Sequence, residues 1–339
     1  MISAPFAARP PCASRTAVSP KWRAPHRKRF GMVSQVGVIT GFGITFWGSA
    51  RFSQKRAKKC GQRAGLANSR GFFVEWAKWF EEDIVEKMDL HEELLAPTFA
   101  QRTTANPFAT VEEASITSRV WIAKGGGPIR RARSVIVNAG IKVQAYNVVV
   151  YPSYDRGLQP VLGIDLLSFS SHKQLLFGVD WAPMLPGDKY AEAKIAPFLS
   201  SLLDEFDHLR MTPSGKVYGE NPEFFSPYMF FSRPRDKEAL QPGSELWTVS
   251  SQYFDRYLRM LDLAESPVDA ELLRKAKERQ VAYDIWHAER DPALVLFRKM
   301  FGKEWTEDFS RSILFPGSVQ TEPQGQPGTE TLEATGVET

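Results

Sequence analysis

The sequence predicts one α/β domain, a three-layer α/β/α sandwich whose central antiparallel sheet is flanked by helices. Two observations predict this class. Several strand-like runs follow one another with short connections, whereas parallel strands would need long crossovers. Helical patterns precede and follow these runs, so helices can cover both faces of the sheet. The 339-residue chain contains a core of about 245 residues, which is enough for one well-buried domain.

The first predicted element is a helix near the start of the core, at Gly71. Trp76, Phe80, Ile84 and Met88 recur every four residues and form one apolar helical stripe. Strand-like runs follow, and they are bounded by Gly, Pro, Ser or Asp. In chain order these runs are Arg119–Ala123, Arg131–Asn138, Lys142–Tyr151, Val161–Phe169 and Gln174–Trp181.

The middle of the chain returns to a helical pattern. A helix is predicted over Tyr190–Leu209, with a kink at Pro197 because proline cannot donate a helical hydrogen bond. A loop that contains Pro and Gly comes next, and a short strand is predicted over Tyr228–Ser232. This strand would add to the same sheet.

The C-terminal part of the core is predicted to be helical. Ser266 and Pro267 supply an N-cap and a first-turn proline, with Asp269 at the capping-box position. This helix is expected to run to about Arg290. A further helix begins at Asp291–Pro292, and Gly302 is suited to end it.

Charge divides the chain into unlike parts. Residues 1–70 contain fourteen Lys and Arg, and no acidic residue occurs before Glu75. The remainder has 29 basic and 39 acidic residues, a net charge of −10. A basic, acid-free N terminus is typical of an organelle-targeting segment, and a nucleic-acid-binding arm is the alternative. We predict a presequence over 1–70, the folded domain over 71–316 and a disordered tail over 317–339.

The presequence resembles a plastid address. An apolar stretch from Met32 to Ala50 suits a signal peptide, and the basic stretch 51–70 follows it, as in a two-step route to the plastid stroma. The apolar stretch is too weak for a transmembrane helix, so no membrane attachment of the mature form is expected. Both cysteines, Cys12 and Cys60, fall in this removable part. The mature protein then has no disulfide, thiolate-held cluster or cysteine nucleophile.

Several chemistries have no motif in this chain. No G-x-G-x-x-G occurs, and Gly125–Gly127 lacks the ending of a phosphate loop. The five histidines show no metal-ligand spacing. The core is acidic and its basic residues are dispersed, which argues against a nucleic-acid partner.

The remaining candidates are acids and an amide in unusual settings. Asp165 interrupts an apolar strand. Desolvation there would raise its pKa and make it a proton donor. The alternative is a structural acid that is paired with an arginine. Asn147 is a lone polar residue in another apolar strand, where a structural hydrogen bond is the alternative. Asp291 precedes Pro292 and can be a plain helix cap. His287 lies one turn earlier, and we expect it at the surface rather than in a proton relay.

Several blocks of the core resemble the ferredoxin-dependent bilin reductases over residues 71–316. They occur in the order of that family and are Asn147–Pro152, Pro160–Phe169, Phe225–Tyr228, Phe231–Pro234, Asp291–Pro292, Phe301–Trp305 and Ile313–Phe315. The resemblance implies an α/β/α sandwich that binds an open-chain tetrapyrrole between the sheet and the C-terminal helices. It also implies no bound cofactor, because reduced ferredoxin delivers single electrons from outside and the bilin itself carries the radical.

The resemblance assigns roles to single residues. Asp165 matches the family's proton-donating aspartate on the sheet, and Asp291 matches the acid on the opposite, helical side. Both are therefore expected to be catalytic. The residues expected to bind the substrate are Asn147, Arg210, Arg233 and Ser226. The two arginines would bind its propionates, and ion pairs at the surface are the alternative for them.

Two positions indicate the branch of the family. The phycocyanobilin-forming branch has His in place of Asn147 and Glu in place of Val135, which argues against that branch. Leu162–Phe169 and Phe177–Pro183 are most similar to the branch that reduces 15,16-dihydrobiliverdin to phycoerythrobilin at the A-ring diene. The alternatives are a biliverdin-to-15,16-dihydrobiliverdin reductase of the same family and a non-catalytic bilin carrier.

The expected protein partner is ferredoxin. Ferredoxin is acidic, so a local basic patch should receive it. Arg130, Arg131, Arg133 and Lys142 are the candidates, and a solvated strand edge is the alternative reading of the same residues. The resemblance leaves open a direct transfer of the bilin from an upstream reductase.

Overall fold

The computed structural model describes residues 39–40, 43–44, 71–108, 113–213 and 223–319. Within residues 1–70, only the short antiparallel ladder of β1 (Ile39–Thr40) and β2 (Gly43–Ile44) is described. The rest of the predicted presequence and the predicted tail beyond residue 319 lie outside the described residues. No helix in the described part of the chain is both long and apolar enough to span a membrane.

An antiparallel sheet of eight strands forms the centre of the described domain. The strands are β3 (Leu90–Glu92), β4 (Gln101–Ala105), β5 (Glu113–Ala123), β6 (Ile129–Asn138), β7 (Val143–Pro152), β8 (Val161–Phe169), β9 (Gln174–Ala182) and β10 (Phe230–Ser232). Their order is β10-β9-β8-β7-β6-β5-β3, and β4 also pairs with β5. The predicted sandwich with a central antiparallel sheet is thereby confirmed.

The five runs predicted as strands are β5 to β9, and the predicted sixth strand is β10. The prediction of β8 is right at both ends, whereas β5 begins at Glu113, six residues before the predicted start. The sequence did not predict β3 and β4. Both are short, contain mostly polar residues and pair only with β5, so neither shows an apolar pattern.

Helices from the first part and the middle of the described domain cover one face of the sheet. They are α1 (Val74–Trp79) with its π-helical continuation (Phe80–Ile84) and α2 (Val85–Lys87), then α4 (Asp188–Lys194), α5 (Ala196–Glu205) and α6 (Glu245–Asp262). A short helix, α3 (Pro97–Ala100), leads into β4. The predicted helix over Tyr190–Leu209 is broken at Ile195, because the proline two residues later fits only the first turn of α5.

The apolar stripe of the first helix is buried as predicted. Trp76, Phe80, Ile84 and Met88 are each at most 2% exposed. A repeat of four residues advances by about 40° beyond a full turn in an α-helix. The π-helical turn at Phe80–Ile84 holds more residues per turn, which keeps the four side chains on the sheet.

The C-terminal helices cover the opposite face. They are α7 (Ala270–Arg290), α8 (Ala293–Phe301), α9 (Lys303–Phe309) and a π-helical segment (Ser310–Leu314), followed by a turn at Pro316–Ser318. In this turn the Gly317 N–H donates to Asp284 Oδ2 at 2.7 Å. Gly317 and Ser318, which fall in the predicted tail, therefore pack onto the domain.

The start of α7 differs from the prediction. Asp269 is the N-cap, and its Oδ1 accepts the Leu272 N–H at 2.7 Å. Ser266 instead donates to Asp155 Oδ2 at 3.2 Å, so its hydroxyl holds the preceding loop and does not cap the helix. The predicted end of α8 is right, since Gly302 has a φ of +90° that favours glycine.

Candidate active site

The sheet register brings the polar candidates onto one face. Asn147 of β7 lies opposite Asp165 of β8 and opposite Val135 of β6. Gly178 of β9 lies opposite Asp165 on its other side. Directly paired residues share a face of a sheet, so these side chains point toward the C-terminal helices.

A small, mostly apolar cavity of about 50 Å³ lies between this face and the C-terminal helices. Both predicted acids and the predicted amide line it, and valine, leucine and phenylalanine side chains form most of the remaining wall. The lining residues are Val135, Val137, Val143, Ala145, Asn147, Asp165, Leu167, Phe169, Asp291, Ala293, Leu296, Phe297 and Leu314. Few polar groups that converge in an apolar cavity are typical of a small-molecule site.

Asp165 is buried, with 6% of its surface exposed. Burial raises the pKa of its carboxyl well above the ordinary value, and the nearby charge of Asp291 adds to this. The Asn147 amide opposes the rise by donating from Nδ2 to Asp165 Oδ1 at 2.8 Å, as does the positive charge of Arg133. The net direction is upward, which favours the protonated form of Asp165, the form that can donate a proton.

Asp291 joins α7 to α8 on the other side of the cavity. Its Oδ1 accepts the N–H of Ala293, the first residue of α8, at 2.8 Å, so it holds the start of α8 as well as lining the cavity. Burial raises the pKa of this carboxyl to about 7, against the opposing effects of the Ala293 N–H and of Arg133. A carboxyl with a pKa near neutrality is suited to general acid catalysis.

The cavity therefore presents acids from two opposite elements to whatever it holds. Their elevated pKa values and the apolar walls are a combination that occurs at sites of proton transfer. Among the described residues, no group of three or more His, Cys, Asp or Glu could hold a metal ion. The arrangement can protonate a bound molecule at two places.

Two arginines expected in a ferredoxin patch are instead buried beside this site. Arg131 is 8% exposed and Arg133 is 2% exposed. Both lie on the same face of β6 as Val135, which lines the cavity, since alternate residues of a strand share a face. Arg130 is half-buried, and its Nε donates to Gln280 of α7 at 2.7 Å. Of the proposed patch, only Lys142 is exposed, so the prediction of this docking surface is wrong.

The other predicted substrate-binding residues lie away from the acid-lined cavity. Arg210 donates to the carbonyls of Met229 and Pro227 at 3.2 and 2.8 Å. The guanidinium of Arg233 lies 5.5 Å from the Phe231 ring. Their contact with propionates stays a prediction.

Ser226 holds a buried carboxylate. Its N–H and its hydroxyl donate to the two oxygens of Asp180 at 2.9 and 2.5 Å. Burial raises the pKa of Asp180 to about 7. Ser226 and Arg210 also line a larger opening of about 850 Å³, which neither Asp165 nor Asp291 lines. The smaller cavity is the better candidate site because both acids meet there.

A second buried acid on α7 has no counterpart among the predictions. Asp284 is 1% exposed; it accepts the Tyr151 hydroxyl at 2.7 Å and the Gly317 N–H at 2.7 Å. Burial raises its pKa. The sequence gives only a weak indication that this face of α7 is buried. Gln280, Asp284 and His287 follow a helical spacing, but a row of polar residues on a helix is rarely buried.

His287 is buried, so its predicted place at the surface is wrong. It is 3% exposed and packs against Tyr283 and Phe315, whose ring centroids are 4.3 and 5.9 Å away. Burial, with the charges of Arg133 and Arg290, lowers the pKa of His287 to about 3. The imidazole is therefore neutral near pH 7.

The sequence of the folded domain matches one known family of oxidoreductases. Residues 79–316 match the family model described as ferredoxin-dependent bilin reductase, and this span is more than half of the chain. The chain therefore belongs to that family, and the resemblance given above is confirmed.

Named relatives and a solved structure agree with this assignment. The 15,16-dihydrobiliverdin:ferredoxin oxidoreductase of Nostoc punctiforme is 31% identical over 250 residues, which are 73% of this chain and 96% of the relative. The protein of the same name from Gloeobacter violaceus is 34% identical over 63% of this chain and 84% of its own. The phytochromobilin synthase from tomato, solved in complex with biliverdin, has the same fold, with a TM-score of 0.57 at 16% identity over 74% of this chain and 85% of that one.

Proposed function

We propose that this chain reduces biliverdin to 15,16-dihydrobiliverdin, with reduced ferredoxin as the external electron donor. The observation that carries the proposal is the pair of acids, Asp165 and Asp291, that line one apolar cavity from opposite sides. The names of the cyanobacterial relatives support the step, because they pair 15,16-dihydrobiliverdin with ferredoxin. When ferredoxin is the reductant, 15,16-dihydrobiliverdin is the product and biliverdin the substrate.

The reaction adds two electrons and two protons to the bilin. Two reduced ferredoxins each supply one electron, and the bound bilin carries the unpaired electron between the two transfers. Asp165 and Asp291 each have one oxygen that accepts a hydrogen bond, from Asn147 and Ala293 respectively. The second oxygen of each is available to carry the proton. A preorganised acid stabilises the electron-accepting form of the bilin as charge develops on it.

The second candidate is the phycoerythrobilin-forming step, with 15,16-dihydrobiliverdin as substrate. The amino-acid sequence of Leu162–Phe169 and Phe177–Pro183 favours this step, because it is most similar to the phycoerythrobilin-forming branch. Both steps add two electrons and two protons and differ in the double bond that is reduced, so the same acids can serve either one. A bilin carrier would have no use for proton donors.

Anaerobic turnover of the full chain with reduced ferredoxin tests the proposal. Biliverdin and 15,16-dihydrobiliverdin are offered separately, and the products are identified by chromatography. Formation of 15,16-dihydrobiliverdin from biliverdin is the expected result. Phycoerythrobilin from 15,16-dihydrobiliverdin alone would replace the first candidate by the second. Tight binding without reduction of either bilin would contradict both and favour a carrier.

We also propose that residues 1–70 direct the protein to the plastid stroma. The support is their basic, acid-free composition. A fluorescent protein fused behind residues 1–70 and expressed in a plastid-bearing cell should accumulate in the stroma. Secretion of the fusion to the medium would contradict this localisation.

A further inference from the structure

Arg133 and Asn147 form a hydrogen-bond relay that ends on Asp165. Arg133 Nη1 donates to Asn147 Oδ1 at 2.5 Å, and Asn147 Nδ2 donates to Asp165 Oδ1 at 2.8 Å. The register of β6, β7 and β8 sets this geometry, with Arg133 one diagonal step from Asn147 on the same face. A buried guanidinium is thus connected to the proposed proton donor through a single amide.

Two partners of opposite character fix the orientation of the Asn147 amide. Arginine has only donors, so the amide oxygen must face Arg133. The carbonyl of Ile164 is only an acceptor, and Asn147 Nδ2 donates to it at 3.1 Å. Both partners require the same orientation, and in that orientation an N–H of Asn147 also points to Asp165.

This orientation decides which oxygen of Asp165 carries the proton. Burial raises the pKa of Asp165 well above its ordinary value, which favours the protonated carboxyl. In a neutral carboxylic acid the carbonyl oxygen is the better acceptor, and the other oxygen bears the hydrogen. Because Oδ1 accepts the Asn147 N–H, the proton belongs on Oδ2. With the amide reversed, Asn147 would offer an oxygen and would draw that proton away from the substrate.

The C-terminal segment fixes the position of Arg133. Its Nε donates to the Leu314 carbonyl at 3.0 Å, and its guanidinium lies 5.6 Å from the Phe315 ring. None of its hydrogen-bond partners is charged, and the nearby carboxyls of Asp165, Asp284 and Asp291 all have raised pKa values, so burying this positive charge is costly. A neutral side chain would fill the same space at lower cost, so the charge and its donors point to a task in the site.

We propose that Arg133 is a positioning residue that orients the Asn147 amide and thereby selects Asp165 Oδ2 as the oxygen that delivers the proton. The inference rests on the proposed function, since it assigns part of the proton delivery in that reaction. Arg133 acts through Asn147, not by contact with the bilin.

Infrared difference spectroscopy of the substrate-free full chain tests the orientation. The carboxylic C=O band of Asp165 is identified by its loss in Asp165→Asn. In Arg133→Met the Asn147 amide keeps only the Ile164 carbonyl to orient it, so its N–H donates less firmly to the Asp165 C=O group and the band is expected at higher wavenumber. The control is Arg131→Met, which removes another buried arginine of β6 that donates to the Ile313 carbonyl at 3.0 Å. This control is expected to leave the band unchanged.

Kinetics of the same variants supply the second readout. In Arg133→Met, kcat is expected to fall about 100-fold with KM unchanged, because proton transfer alone is impaired. Arg133→Lys keeps a donor toward Asn147, so it should retain the wild-type band and recover most of kcat. In an Asn147→Leu background, Arg133→Met should cause no further loss, because the two residues act in series.

Three results would overturn the proposal: an unshifted band in Arg133→Met, an equal shift in Arg131→Met, or fully additive losses with Asn147→Leu. Where Arg133→Met does not fold, a shifted band in Arg133→Lys overturns it. The band is measured without substrate. A wild-type chain that reduces no bilin would therefore contradict the proposed function, while the band still reports on Arg133.

Discussion

Replacing Asp291 by Asn removes one of the two acids and keeps its structural contact. Asn caps helices about as well as Asp, so its side-chain oxygen can still accept the Ala293 N–H. What the variant loses is the ionisable group. Its effect on stability therefore isolates the free-energy cost of holding this carboxyl in the cavity.

The size and sign of the effect follow from the pKa. Burial raises the pKa of Asp291 from 3.8 to about 7. Between these values the native state binds a proton that the unfolded chain has released, so wild-type stability falls as the pH rises and levels off above pH 7. One pKa unit corresponds to about 1.4 kcal/mol. The wild type is therefore expected to lose about 4 kcal/mol of folding free energy if Asp291 is fully buried, and about 2–4 kcal/mol because it is half-buried.

Urea unfolding of the full chain at a series of pH values measures this difference. The free energy of unfolding of Asp291→Asn should rise relative to that of the wild type between pH 4 and pH 7. Above pH 7 the difference should stay constant. Asp269→Asn, at the exposed N-cap of α7, is the control for replacing a capping aspartate at the surface. A stability difference that does not grow between pH 4 and pH 7, or that favours the wild type, would refute the reasoning.

Three further predictions concern the same face of the sheet. Gly317→Ala would place a Cβ 2.7 Å from Asp284 Oδ2 and is expected to cost about 1–3 kcal/mol in urea unfolding, whereas Gly127→Ala, with no close neighbour, should cost little. Turnover that needs protonated Asp291 should be constant below pH 7 and fall about tenfold per pH unit above it, and a flat profile up to pH 9 would exclude that need. Ser226→Ala removes two hydrogen bonds of a buried hydroxyl and should cost about 1–3 kcal/mol, with an unchanged KM for the bilin; a raised KM would restore the predicted substrate contact.

The long central strands were predictable because most of their residues are apolar, whereas β3 and β4 are short and polar. Every residue of β8 is buried, since helices cover both faces, and the predicted bounds are right. The existence and end of α7 were also predicted, but its buried face was not. Its inward positions include Gln280, Asp284 and His287, and polar residues at helical spacing give no apolar stripe.

The site was predictable where a polar residue interrupts an apolar strand. Asp165 and Asn147 met that condition, and the register places them side by side. The prediction that Arg131 and Arg133 face solvent is wrong, because it rests only on their charge. Their alternation with inward-facing Val135 would have placed them inside, but a buried arginine is rare enough that the pattern alone does not indicate it.

The most direct test of the account is the activity of Asp165→Asn. The full chain and this variant are mixed anaerobically with biliverdin and reduced ferredoxin, while absorption follows binding and chromatography follows the product. The account predicts that the variant binds biliverdin as the wild type does and that its rate of reduction falls by about 10² to 10⁴. Reduction at the wild-type rate would show that Asp165 is not the proton donor and would contradict the central claim.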